Sequence, residues 1–181
     1  MNKTIKWFSN PPLDGPSSIL ILRLMAGGVF FWEGILKFVY VNQGLGRFTK
    51  LGFPMPELTA NFIATMEIIG GIFLILGILT RFTAIWFVAE MIVAMLSTKI
   101  SLFLGTSPLP LPAAPPKIGF WAVMHEIRSD YAQLLVCLFV FLEGPGKRSV
   151  DAWIGSHFRR DKHQVKQQNS SLSSSTFQIL Q

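Results

Sequence analysis

Cysteine is almost absent from this chain of 181 residues, where Cys137 stands alone. A single thiol excludes an intramolecular disulfide, a Cys-x-x-Cys redox pair and a thiolate-held iron–sulfur cluster, so redox chemistry would have to come from a quinone, another cofactor or a partner. Histidine is nearly as scarce. Of three, only His125 falls in an apolar run, which leaves no basis for bis-histidine haem within one chain or for any other metal site. Charge is the third shortage, with 14% of residues charged against 50% hydrophobic and 13% aromatic, and a mean hydropathy of +0.45. Soluble domains of this size rarely read so apolar.

What fills the chain instead is four apolar runs, at residues 17–40, 58–79, 82–104 and 119–142. At 1.5 Å per residue each can cross about 30 Å of hydrocarbon. The expected fold is all-α, a membrane four-helix bundle over residues 17–153. A polar lead (1–16) precedes it, and a Gln- and Ser-rich tail (154–181) follows, expected to be disordered from Lys162 onward. Lys3 and Lys6 precede the first run as in a signal peptide, yet the run is too long and too charged, with no small-residue cleavage pattern after Gly27, Gly28 and Gly34. It is expected to be retained.

The net charge of +6 would suggest nucleic acid in a soluble protein, but here its distribution reports topology. Lys3, Lys6, Arg81, Lys147, Arg148, Arg159, Arg160, Lys162 and Lys166 fall on one side of a four-pass chain, and Arg47, Lys50 and Lys117 on the other. The positive-inside rule then places both termini in the cytoplasm.

Local signals fill in the connections. Ser17 and Ser18 are candidate helix caps. Residues 41–57, with Gly44, Gly46, Gly52, Pro54 and Pro56, read as an irregular loop. The short turn at Leu79, Thr80 and Arg81 predicts that the second and third helices pack side by side as an antiparallel hairpin. Five prolines between Gly105 and Lys117 predict an extended outer connector. Gly144, Pro145 and Gly146 stop the last helix, after which Trp153 and Phe158 suit a membrane interface.

The few charges inside the apolar runs carry the functional question, because each costs about 2.5–3.5 kcal/mol at mid-membrane unless paired or hydrated. In the first run, twelve Leu, Ile, Val and Phe residues contribute about −4 to −7 kcal/mol, against roughly 7.5–10 for Arg23, Glu33 and Lys37. That helix depends on compensation by its neighbours. Depth estimates put Glu33, Lys37, Glu67, Lys99, His125, Glu126, Arg128 and Asp130 in one layer of the outer half, the candidate polar site. Glu33 and Lys37 form an i, i+4 pair of opposite sign. Glu126 and Asp130 share a face and need cations from other helices, for which Lys37 and Lys99 are available. His125 beside Glu126 suits either a proton relay or an interfacial cap. Arg23, Arg81 and Glu90 are set apart as structural or interfacial groups, with Glu90 placed nearer the cytoplasmic third. Gly27, Gly28, Gly34, Gly70, Gly71 and Gly77 offer surfaces for close helix packing.

The order Arg23, Leu24, Gly27, Phe30, Gly34, Lys37; Gly52, Phe53, Pro54, Pro56, Ala60; Glu67, Gly70, Gly71, Leu74, Gly77, Thr80, Arg81 resembles the DoxX family. Asp130, Tyr131, Leu134 and Leu135, then Gly144, Pro145, Gly146, Ser149 and Asp151, resemble its closing segment, so the likeness covers residues 20–153. It implies a four-helix protein of the bacterial inner membrane. Some members take part in thiosulfate oxidation coupled to quinone reduction, and others belong to oxidoreductase complexes that counter oxidative or thiol stress. Arg23, Lys37, Glu67 and Arg81 match the family's polar pattern. The Pro-rich loop, the cluster Glu126, Arg128 and Asp130, and the basic tail depart from a minimal member and imply a subgroup with a different substrate.

Three functions fit these residues. One is a membrane subunit of a quinone-linked oxidoreductase, with Lys37, Lys99 and Arg128 attracting a small anion or a quinone carbonyl and Glu33, Glu67, Glu126 and Asp130 moving protons. The others are a non-enzymatic scaffold whose tail recruits a partner, and a small proton-coupled carrier. All three have the lipid bilayer as partner, with redox proteins or a second copy of the chain as further candidates; none involves nucleic acid.

Overall fold

The computed structural model describes residues 15–157, and among these every regular element is a helix. They are α1 (Ile19–Val39), α2 (Leu45–Lys50), α3 (Pro56–Leu76), α4 (Thr80–Leu104), α5 (Phe120–Glu126), α6 (Arg128–Glu143) and α7 (residues 150–157). Phe158 and the tail from Lys162 lie outside the described residues.

Three helices, α1, α3 and α4, are long and apolar enough to cross a membrane, at 21, 21 and 25 residues. Their large side chains point outward: Ile21, Trp32, Phe62, Phe82 and Leu96 are all about half exposed or more, while Arg23, Glu67, Arg81 and Gln133 are buried. That inversion is what lipid solvation selects, since aliphatic surface costs nothing against acyl chains and polar groups must find partners inside. The fourth run, expected as one helix over 119–142, is broken instead. Ile127 ends α5 and starts α6, leaving only 16 residues in α6. At the break the Arg128 guanidinium takes the His125 carbonyl, an acceptor that an unbroken helix would use itself.

Packing also departs from the expected hairpin. The closest pairings are α1 with α3 and α4 with α6, whereas α3 and α4 touch only sparsely despite their short turn. Glycine decides the first pairing. A methyl at Gly27 would stand 2.7 Å from the Gly71 carbonyl oxygen, one at Gly71 would stand 2.7 Å from that of Gly27, and Gly34 meets the Ala64 carbonyl in the same way. Only bare backbone permits that approach. Between α3 and α4 the Phe87 ring occupies the space beside Gly70 and stacks on Phe30 of α1, with centroids 3.7 Å apart. The ring wedges the hairpin open. Around it the core gathers Ile19, Ala26, Leu74, Ala84, Met91, Cys137 and Val140.

Two smaller expectations also fail. Ser18 occupies the N-cap position of α1 without a side-chain bond, because the amides of Ile19, Leu20 and Ile21 bond back to the carbonyls of Pro16, Ser17 and Ser18. The loop at 41–57 contains α2, which packs on α3.

One end of the molecule is tied together by backbone carbonyls and three side chains. The Arg23 guanidinium, 1% exposed, donates to Leu74 and Ile75 at the end of α3 (2.9 and 2.7 Å) and to Pro145 and Arg148 beyond α6 (2.7 and 2.9 Å). Arg81 donates to Phe141 and Leu142 at the end of α6. The carbonyls of Leu74, Ile75, Phe141 and Leu142 are acceptors that a helix leaves unused at its C-terminus, and a cation there also meets the negative end of the helix dipole. Arg23 and Arg81 are therefore fastenings between helices. Asp151 does the reverse at the start of α4, accepting the Leu79 and Thr80 amides and the Thr80 hydroxyl at 2.8–3.0 Å. Gly77, at φ +71°, must stay bare here: a Cβ would stand 2.7 Å from the Arg23 guanidinium carbon. Asp151→Ala is expected to cost about 1–2 kcal/mol, the usual range for a lost N-cap, read as a lowered unfolding midpoint of the purified protein. An unchanged midpoint would remove Asp151 from this role.

Candidate functional site

Above that fastened end, the wedge at Phe87 and the splay of α3 from α4 leave a cavity of about 600 Å³, walled by α1, α3, α4 and α6 and roofed by α2. Its walls are mainly apolar, with Phe30, Met91, Phe48 and Ile63 among them, and its polar groups converge on one region. Lys37 reaches from α1 to Glu67 on α3, with Nζ 2.8 Å from Oε1 and 2.6 Å from Oε2. Both side chains are shielded, at 13% and 4% exposure. The ammonium is thus committed to Glu67 and touches only the backbone carbonyl of Glu33, at 3.5 Å. The Glu33–Lys37 pair expected from spacing does not form, and Glu33 stands exposed at the cavity wall.

Glu90 comes from α4 to lie beside Glu67. Sequence reasoning set it apart, but Glu67 and Glu90 each stand eleven residues from the turn, before Ile78 and after Leu79. In an antiparallel pair that places them at equal height. Trp86, one turn earlier on α4, brings its indole N–H near the Glu90 carboxyl without a well-formed hydrogen bond. Gln133 faces the cavity from α6 and is 7% exposed. Among the described residues, Trp86 Nε1, Glu90 Oε2 and Gln133 Oε1 are buried polar atoms with no hydrogen-bond partner. All three belong to residues that line the cavity. Unpaired buried polar atoms are rare enough to ask for a ligand or water.

The remaining predicted residues divide. Asp130 lines the cavity and pairs with Lys99 at 3.5 Å, as the search for a cation on another helix anticipated. Glu126 does not join them: it is half-buried outside the cavity, with His125 and Arg128 exposed beside it. Trp86 and Gln133 carry no charge and drew no attention in the sequence. A signal for Gln133 existed, since Asp130, Gln133, Cys137 and Val140 recur at helical spacing and the last three are buried. Among the described residues no group of three or more His, Cys, Asp or Glu side chains could hold a metal.

Comparison with known proteins places this architecture. The DoxX family model matches residues 18–100, which take in α1 to α3, most of α4 and both halves of the Lys37–Glu67 pair. A membrane protein of Mycobacterium tuberculosis, uncharacterized Rv3486, is 36% identical over 144 residues, covering 76% of this chain and 82% of the relative. The chain belongs to the DoxX family. CatD of Bacillus subtilis, whose name proposes an oxidoreductase, is 32% identical over 89 residues, or 49% of this chain and 65% of that protein. No solved structure matches. As a DoxX family membrane protein, the molecule meets lipid along the apolar surface described above.

Proposed function

We propose that this DoxX protein is the membrane subunit of a quinone-linked redox system and that the cavity receives the quinone ring. The observation that carries the reading is one apolar-walled cavity lined by a buried ion pair and a second carboxyl. Ligand sites for small neutral molecules have this build, an apolar body with a few converging polar groups. The lining charges also favour a neutral ligand. Glu33, Glu67, Glu90 and Asp130 outnumber Lys37 and Arg47, and Lys37 is already engaged, so a small anion would meet an acidic excess.

A bound quinone accepts two electrons, supplied here by a reduced partner protein, together with two protons. The chain's own residues provide the rest. Phe30 and Met91 offer apolar contact for a ring. Two carboxyls in contact repel unless a proton lies between them, so the Glu67–Glu90 pair is suited to holding one. Lys37 fixes Glu67 in place. Asp130 and Glu33, at the cavity wall, extend the path for protons toward solvent.

Orientation follows within this proposal. The Lys147 amide donates to the Gly15 carbonyl, so both flanks of the described chain lie at one end, as an even number of crossings requires. The cationic residues of the flanks then favour a bacterial plasma membrane protein with both termini cytoplasmic, the α5–α6 unit making the fourth crossing.

Quinone binding to the purified protein, and quinone reduction by membranes containing it with its natural partners, test the reading. Glu67→Gln is expected to lower reduction by about 100-fold and Asp130→Asn by less, in line with the loss of a positioned proton donor. Absence of quinone binding, with reduction unchanged in both variants, would reject it.

A further inference from the structure

The cations that the sequence offered for a ring oxygen are all committed elsewhere: Lys37 to Glu67, Lys99 to Asp130, and Arg128 to the His125 carbonyl. The cavity's other lining cation is Arg47, half-buried on the roof helix α2. Among the described residues nothing pairs with its guanidinium. Arg47, Phe48 and Leu51 all line the cavity, and Arg47 and Leu51, four apart, share one face of α2. Thr49 and Lys50 are exposed and take no part in the lining, so α2 turns the Arg47 face inward. The roof is also fixed in place, since a Cβ at Gly44 would run into the Lys37 carbonyl oxygen and only bare backbone lets α2 fold back on the end of α1. Phe48 meets Phe53 edge-on, with centroids 5.3 Å apart, and holds the other end of the helix. A guanidinium donates hydrogen bonds and accepts none, so an acceptor is what completes it. A ring carbonyl is an acceptor without charge, and it can enter an acidic cavity that would repel an anion.

We infer that Arg47 is the residue that binds and orients the ring, its guanidinium donating to one quinone carbonyl oxygen at the roof of the cavity. That contact turns one oxygen toward α2 and leaves the opposite one to the region of the Lys37–Glu67 pair and Glu90. This inference rests on the reading of the cavity as a quinone site and adds to it the residue that recognises the ligand. It also gives the short helix in the loop at 41–57 a function, since α2 brings to the cavity a cation that the spanning helices do not supply.

The test is titration of the full chain in lipid nanodiscs with decylubiquinone, followed by quenching of tryptophan fluorescence with empty nanodiscs as the blank. A hydrogen bond from a charged donor is strong enough that Arg47→Gln is expected to weaken binding by about tenfold or more. Arg47→Lys, which keeps the charge and loses the planar fork, is expected to fall between the two. Lys50→Gln removes the same charge from the outward face of the same helix and is expected to bind as the unaltered protein does. Because the Arg47 guanidinium has no partner among the described residues, the unfolding midpoint should not move in either Arg47 variant. Unchanged affinity in Arg47→Gln would overturn the inference and leave the quinone site standing. An equal loss in Lys50→Gln would do the same by making the effect one of net charge, and a loss of binding that tracks a lowered midpoint would do so by making Arg47 structural. Absence of decylubiquinone binding to the unaltered protein would overturn both the inference and the quinone site.

Discussion

Arg23→Leu is expected to yield almost no folded protein. The guanidinium makes four hydrogen bonds to backbone carbonyls on two separate segments while being 1% exposed, and leucine supplies none of them. Hydrogen bonds to a charged group contribute roughly 1.5–3 kcal/mol each, and the stranded carbonyls add their own desolvation cost, so a loss of at least about 4 kcal/mol is expected. That is a large share of any small membrane domain's stability. Arg23→Lys should recover little, because a single ammonium cannot span the ends of α3 and the 145–148 segment as a planar fork does. Unfolding in mixed micelles, followed by tryptophan fluorescence, measures both. A leucine variant within about 1 kcal/mol of the unaltered protein would show that these carbonyls find other partners.

Breaking the Lys37–Glu67 pair from one side is the second large effect. Lys37→Met leaves the Glu67 carboxylate in the interior without its cation, a change that costs about 3–5 kcal/mol when one partner of a buried ion pair is removed. Replacing both partners, Lys37→Met with Glu67→Leu, removes the uncompensated charge along with the pair. It is expected to recover most of that loss in the same unfolding measurement, while abolishing the proposed quinone reduction. If the double variant were as unstable as the sum of the single ones, the two side chains would be acting independently and the 2.6 Å contact would carry no coupling.

The sequence made the long helices legible to within two or three residues, because apolar run length and the glycine and proline stops act locally. Lys37 and Glu67 were legible for the same kind of reason, a charge being conspicuous in an apolar run. The break at Ile127 was not. A hydropathy run counts the polar residues around it as cost without showing that they divide a helix, and the Arg128 contact that marks the break depends on a rotamer. The partners of each charge were hidden too. Spacing on one helix proposed Glu33 for Lys37, yet the carboxyl it meets lies 30 residues away, brought there by the glycine contact of α1 with α3. Glu90 could have been placed by counting from the turn in both directions. Trp86 needed the structure, since only the surroundings of its N–H distinguish it from any lipid-facing tryptophan.

The fastening at Arg23 also sets an order of assembly. As the chain emerges, α1 carries a cation whose acceptors at Leu74 and Ile75 appear some fifty residues later, and those at Pro145 and Arg148 more than 120 residues later. Asp151, which holds the start of α4, arrives later still. α1 is thus among the last helices to be completed, and the cavity between α1 and α4 takes its final shape only once nearly the whole described chain has left the ribosome.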